Sequence, residues 1–177
     1  MSSNPGERQF KPLNIAVMTV SDTRTAANDT SGDVLVKLLT GAGHTLAEKR
    51  IVPDDIYLIR ATVSQWIAAD SINAIITTGG TGITGRDSTP EAVKVLLDKE
   101  IAGFGEVFRA VSYEEIGTST IASRAVSGVA NATFVFCLPG STGACRTAWG
   151  KIISHQLDFR TRPCNLVELM PRVLERR

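Results

Sequence analysis

Apolar positions along this chain alternate between two periods, and the alternation predicts strands each followed by a helix. Leu13 to Val20 is an apolar, β-branched run ending at Ser21-Asp22, and it reads as the first strand. Asp29, Thr30 and Ser31 then offer N-caps to a helix with the stripe Val34, Leu35, Leu38, Leu39 and Ala42, closed by Gly43. Thr45 to Val52 is a second strand, stopped by Pro53-Asp54-Asp55. Ile56, Ile59, Val63, Trp66 and Ile67 return to helical spacing, and Asn73 to Thr78 reads as a third strand. Val93, Leu96 and Leu97 mark the next helix, and Phe104, Val107, Phe108 and Val111 another, with the aromatic pair read as core. Thr118 to Ser127 is polar and reads as a short helix or loop. Thr133 to Leu138 is a buried strand running into Pro139-Gly140-Ser141. Ala144, Ala148, Trp149, Ile152 and Ile153 line the last main helix, and the Arg- and Pro-rich tail from Asp158 is expected to pack loosely.

Such alternation argues an α/β fold with a parallel or mostly parallel sheet and helices on both faces. The 177 residues suit one domain, long enough to bury roughly 70% of the unfolded surface. Residues 1–12 are expected to form a flexible lead-in and 13–177 the single domain, with no repeat or linker. A net charge of +1 leaves no field for nucleic acid or a membrane surface. The longest apolar runs fall well short of the roughly 20 residues a bilayer needs. Met1 to Lys11 lacks an apolar signal core, so the expected location is cytoplasmic.

Cysteine and histidine exclude several chemistries. Cys137, Cys145 and Cys164 form no Cys-x-x-Cys pair and are expected to be buried, reduced thiols. His44 and His155 are distant in sequence and each ends a helical segment, so a helix-end or solvated role is expected for both. Neither a His-based triad nor a His-ligated metal fits.

The candidate chemistry lies in the run from Thr77 to Glu91, TTGGTGITGRDSTPE, which follows the third strand and opens a helix. Gly79, Gly80 and Gly82 remove side chains that would keep a ligand from the backbone, and with Thr81 they make an expected anion site. Gly80 and Gly85 have Walker A separation, but Arg86-Asp87 follows where Lys and Ser/Thr are needed. Gly80, Gly82 and Gly85 match the dinucleotide spacing, on the third strand–helix turn rather than the first. In parallel sheets ligands bind beyond the carboxyl ends of strands, which is where Ser21-Asp22, Asp54, Asp87 and Pro139-Gly140-Ser141 all fall. Either carboxylate alone reads as an ordinary N-cap, and the two together beside a phosphate site are suited to Mg²⁺. Ser123 and Arg124, from the residues alone, read as a helix cap and a surface charge.

At these positions the chain resembles the MoaB/MogA family of molybdenum cofactor biosynthesis proteins, over nearly everything from Ile15 to Asn165. The resemblance rests on Thr78-Gly79-Gly80-Thr81-Gly82 with Arg86-Asp87-x-Thr89-Pro90-Glu91, on Ser123-Arg124, and on Pro139-Gly140-Ser141. The run Gly103 to Arg109, GFGEVFR, and the ending Thr161 to Asn165, TRPCN, are similar to the bacterial MoaB branch. The resemblance implies a three-layer α/β/α fold with a mostly parallel central sheet. It implies adenylylation of molybdopterin by Mg-ATP, with release of pyrophosphate and hand-over to a metal-inserting partner enzyme. Asp54, Asp87 and Ser123 would be the catalytic positions, with Asp54 and Asp87 on the metal. Gly79, Gly80, Thr81, Gly82, Arg124, Gly140 and Ser141 would hold nucleotide, phosphate or pterin. The alternative is a protein that binds or delivers molybdopterin without catalysis, since some MoaB members lack the activity. The family implies a trimer or a hexamer of paired trimers, for which Trp66, Trp149 and the stripe near Phe104 are candidate contacts.

Overall fold

The computed structural model describes residues 8–174. Six strands form one sheet in the order β2-β1-β3-β6-β5-β4. They are β1 (Asn14–Val20), β2 (Thr45–Val52), β3 (Ala74–Thr78), β4 (Lys99–Glu100), β5 (Val126–Ala130) and β6 (Thr133–Leu138). The pairs β1–β2, β1–β3 and β3–β6 are parallel, while β5 runs antiparallel to β6 and β4 to β5. The chain therefore has the mostly parallel sheet expected, with an antiparallel edge.

Side chains on β1 alternate between two cores, as the two-residue period of a strand requires. Ile15 and Val17 pack with Leu35 and Leu39 of α1 (Thr30–Gly41) and with Phe104 and Phe108 of α4 (Ala102–Ile116). Ala16 and Met18 pack on the other face with Ile59, Val63 and Trp66 of α2 (Ile56–Ile67) and Val93 of α3 (Thr89–Lys94). Two cores on two faces make the three layers. A 3₁₀ segment (Gly117–Ala122) follows α4, and α5 (Thr142–Ala148) follows β6. The helix then continues through a π-type stretch (Trp149–Ile153) into α6 (Ser154–Gln156), and α7 (Leu166–Val173) lies in the tail.

Several local expectations are corrected. Val126 to Ala130 is a fully buried strand, where a polar helix or loop was expected up to Ser127. Its hairpin to β6 turns on Asn131 and Ala132, both at positive φ (46° and 63°), and without the usual glycine the turn is hard to recognise. Helix α3 ends at Lys94, so Leu96 and Leu97 follow it rather than line it. On α4, Val107 is exposed while Phe104 and Phe108 are buried. His44 is buried rather than solvated, and its Nδ1 accepts the Leu13 amide at 3.2 Å. His155 is exposed. Cys137 and Cys145 are buried as expected, but Cys164 is exposed. Trp66 and Trp149 are 2% and 4% exposed, so both belong to the core and neither supplies a subunit contact.

Of the expected lead-in, residues 1–7 lie outside the described residues. Within 8–12, Arg8 pairs with Glu168 of α7 at 2.9 Å and Lys11 sits over the Phe159 ring. The C-terminal tail thus has partners. Among the described residues no helix is long and apolar enough to cross a membrane.

Trp66 fills the α2 core, and its Nε1–H donates to Glu48 Oε2 at 2.7 Å. Trp66→Ala is expected to remove about 3–5 kcal/mol of stability, read as a lowered urea midpoint with an unchanged slope.

Candidate functional site

The strand order 2-1-3 sends the chain to opposite sides of β1, which opens a crevice beyond the carboxyl ends of β1 and β3. The loop after β3 enters it through two left-handed glycines, Gly79 at φ +104° and Gly80 at φ +64°. A Cβ on Gly79 would lie 2.2 Å from the Val20 carbonyl oxygen. On Gly80 it would meet Thr89 Oγ1 at 2.4 Å and Asp54 Oδ1 at 2.9 Å. Only glycine satisfies both the backbone angles and the space.

Where the loop's polar groups go decides what it can bind. The Gly79 amide donates to the Leu138 carbonyl, and the Gly80 carbonyl accepts the Thr89 amide. Asp87 Oδ2 accepts the Thr84 amide at 2.8 Å and the Thr84 hydroxyl at 2.6 Å, and the Gly82 amide also bonds this carboxylate. Arg124 donates to the Gly82 carbonyl at 2.6 Å and the Asp87 carbonyl at 2.8 Å, and it pairs with Glu91. Among the described residues the amides of Gly80 and Thr81 have no partner. The expected anion nest of Gly79 to Gly82 narrows to those two donors.

The two aspartates differ in environment. The Thr84 side chain holds the Asp87 carboxyl below the ordinary range, with help from the Thr84 and Gly82 amides and the Arg124 charge. Burial pushes the Asp54 carboxyl above it, and repulsion from Asp87 and Asp22 adds to the effect despite a Ser88 backbone hydrogen bond. Asp54 Oδ1 is buried with no hydrogen-bond partner. The N-cap of α2 is Asp55, which accepts the Tyr57 and Leu58 amides, and the N-cap of α3 is Ser88. Neither Asp54 nor Asp87 caps a helix.

A cavity of about 510 Å³ opens beside the loop. Gly79, Gly80, Thr81, Gly82, Asp87 and Ser123 line it, and Gly140 and Ser141 form the adjoining lip. Thr81 is 2% exposed, and the Ser123 hydroxyl is buried without a partner, while the residue stands at the C-cap of the Gly117–Ala122 3₁₀ segment. Ser141 caps α5 through the Ala144 amide at 3.1 Å. Asp54 sits behind Gly80 rather than on the cavity wall, and Arg124 stands behind the loop as its clamp.

Sequence reasoning missed one wall. Phe108, Ser112 and Glu115 step along one face of α4 into the cavity, with Thr147 of α5 beside them. Their spacing of i, i+4 and i+7 was readable, but polar residues on an otherwise apolar helix face were not taken as lining. Asp22 was also left without a role. It accepts the Asp54 amide at 3.1 Å and pairs with Arg86 at 2.7 Å, joining the β1, β2 and β3 loops. Buried Cys137 and Cys145 are pushed up to about 12 and about 11 by desolvation, which leaves no thiolate for the site.

A family model described as a probable molybdopterin binding domain matches residues 16–158, and the chain belongs to that family. It is 56% identical over 157 residues to molybdenum cofactor biosynthesis protein B of Escherichia coli, across 89% of this chain and 92% of that one. The protein of the same name from Bacillus cereus is 47% identical over 152 residues, across 85% and 90%. A crystal structure of a molybdenum cofactor biosynthesis protein B superimposes with a TM-score of 0.82 at 46% identity, covering 85% of this chain and 94% of that one. These likenesses place the chain in molybdenum cofactor biosynthesis, with the MoaB/MogA fold.

The raised Asp54 carboxyl has a measurable consequence. A carboxyl raised by the fold adds stability below its unfolded value, and that contribution is lost as pH rises through the folded value. At pH 7 the ionised Asp54 is therefore a net cost. Asp54→Asn is expected to raise Tm at pH 7 by on the order of 2 °C, with the gain vanishing near pH 3.5. Melting curves across that range check it.

Proposed function

We propose that the protein adenylylates molybdopterin. The terminal phosphate oxygen of molybdopterin attacks the α-phosphorus of ATP, the bond to the bridging oxygen breaks, and pyrophosphate leaves. No covalent enzyme nucleophile is needed, in keeping with buried, protonated thiols and a buried His44 outside the cavity. The observation that carries the reading is Asp54 Oδ1, a buried carboxylate oxygen with no hydrogen-bond partner, set against Gly80 of a loop with two spare amides.

The residues present fit a divalent cation. Asp54 Oδ1 lacks a donor, and Asp54 and Asp87 repel each other, both of which a cation relieves. Their hard oxygen donors suit Mg²⁺. Among the described residues no cluster of three or more His, Cys, Asp or Glu forms a protein cage, and Mg²⁺ commonly completes its shell with phosphate oxygens and water. When bound, Mg²⁺ offsets charge on the transferring phosphoryl group and the departing pyrophosphate. The Gly80 and Thr81 amides hold a phosphate, and the Ser123 hydroxyl supplies a further donor. Gly140 and Ser141 bound the same phosphate end.

A second reading has its own observation. Asp87 already spends its carboxylate bracing Thr84 and Gly82, as a purely structural acid would. In that case the domain holds or delivers molybdopterin without catalysis. Release of pyrophosphate from ATP in the presence of molybdopterin separates the two. Asp87→Asn is expected to lower that rate by at least about 10²-fold while molybdopterin still binds. An unchanged rate makes Asp87 a brace alone, and a wild-type protein that binds molybdopterin but releases no pyrophosphate leaves the carrier reading.

Assembly as a trimer or as paired trimers is part of the same proposal, along with hand-over to a metal-inserting enzyme. With both tryptophans in the core, the exposed apolar side chains Val107, Tyr113 and Ile121 are the surface such an assembly would cover. Light scattering at micromolar concentration is expected to give three or six times the chain's 19.0 kDa, and a monomer mass rejects it.

A further inference from the structure

The cavity wall carries two chemically opposite groups. One is the pair of spare amides of Gly80 and Thr81, which attract anions. The other is Glu115, a carboxylate that would repel a second phosphate. Thr147, 7% exposed, donates its hydroxyl to Glu115 Oε2 at 2.7 Å and fixes the group at the wall. Among the described residues Glu115 Oε1 has no hydrogen-bond partner, and Oε2 keeps a lone pair. Phe108 and Ile116 of the same helix add apolar surface to the cavity lining.

We infer that Glu115, positioned by Thr147, is the residue that selects a 2-amino-4-oxopyrimidine ring edge, and so orients the pterin of the ligand. This rests on the molybdopterin reading above. A carboxylate accepts two hydrogen bonds side by side, and a pterin presents N3–H and a 2-amino N–H as adjacent donors. Adenine offers an amino donor next to the N1 lone pair, which a carboxylate repels. With its phosphate drawn to the loop amides and this edge drawn to Glu115, a ligand carrying both is held in one direction. Glu115 thus sets both which base enters and which way it faces.

The test is binding of 6-hydroxymethylpterin monophosphate, its lumazine counterpart with 2-oxo in place of 2-amino, and ATP. Wild-type protein is expected to prefer the pterin to the lumazine by about tenfold or more. Glu115→Gln keeps size and solubility at an exposed position, and it is expected to lose about tenfold in pterin affinity and most of the preference. Thr147→Val should fall between the two, because it releases the carboxylate without removing it. ATP affinity should stay within about twofold throughout, and melting curves should match wild type for Glu115→Gln. Unchanged pterin binding in Glu115→Gln overturns the assignment while the molybdopterin reading survives. A loss of ATP rather than pterin affinity also overturns it, by making Glu115 a reader of the nucleotide. A wild-type protein that binds neither pterin nor lumazine overturns both this inference and the reading beneath it.

Discussion

The approach of Gly79 to the Val20 carbonyl is the constraint on which the site depends. It places the loop after β3 against the end of β1 at a distance no side chain permits. Once the backbone is there, its carbonyls and amides must each find a partner or face solvent or ligand. The carbonyls of Gly82 and Asp87 go to Arg124, the amides of Gly82 and Thr84 go to Asp87, and Thr89 takes the Gly79 carbonyl through its hydroxyl at 2.9 Å. The fold therefore satisfies many of the loop's polar groups from within. Among those it leaves are the amides of Gly80 and Thr81, two residues that line the cavity.

Arg124 and Asp87 change meaning in that light. Both look like ligand groups when read as residues of a motif. In the fold each is tied to loop backbone, and Arg124 is spent on two carbonyls and Glu91 before any ligand arrives. Asp87 faces both ways: it braces Gly82 and Thr84 while lining the cavity. Asp22 does for the β2 loop what Arg124 does for the glycine loop, since it holds the Asp54 amide and the Arg86 side chain together. The three strand ends are thus one electrostatic unit.

The sequence made the architecture readable because strand and helix periods differ and each parallel strand here is followed within two residues by Asp, Gly or Pro. The parallel strands β1, β2, β3 and β6 were all legible on that basis. The edge was not. Val126 to Ala130 carries Ser127 and Gly128, which read as polar and loop-like, yet both are buried against neighbouring elements. His44 was misread for a related reason: a short helix-end position looks solvated until Phe10 and Trp149 are seen packed around it. At the site, the glycine loop and its two acids were legible because their residue types are costly without a purpose. Phe108, Ser112 and Glu115 were not, because a mixed polar face on a helix has no signature until a cavity is seen beside it.

The placement of Asp54 works against the stability of the fold. Desolvation and two acidic neighbours oppose its ionisation, and no donor compensates Oδ1. A fold selected only for stability would place a neutral group there, as unsatisfied buried charge is among the larger single penalties a domain carries. Asp55 shows the contrast one residue later, with its side chain satisfied as the cap of α2. Two adjacent aspartates thus divide a structural task from one the structure itself does not need. The residue whose Oδ1 lacks a donor is the one that touches the glycine loop. The turn itself gains nothing from that oxygen, which accepts no hydrogen bond and faces two acidic neighbours.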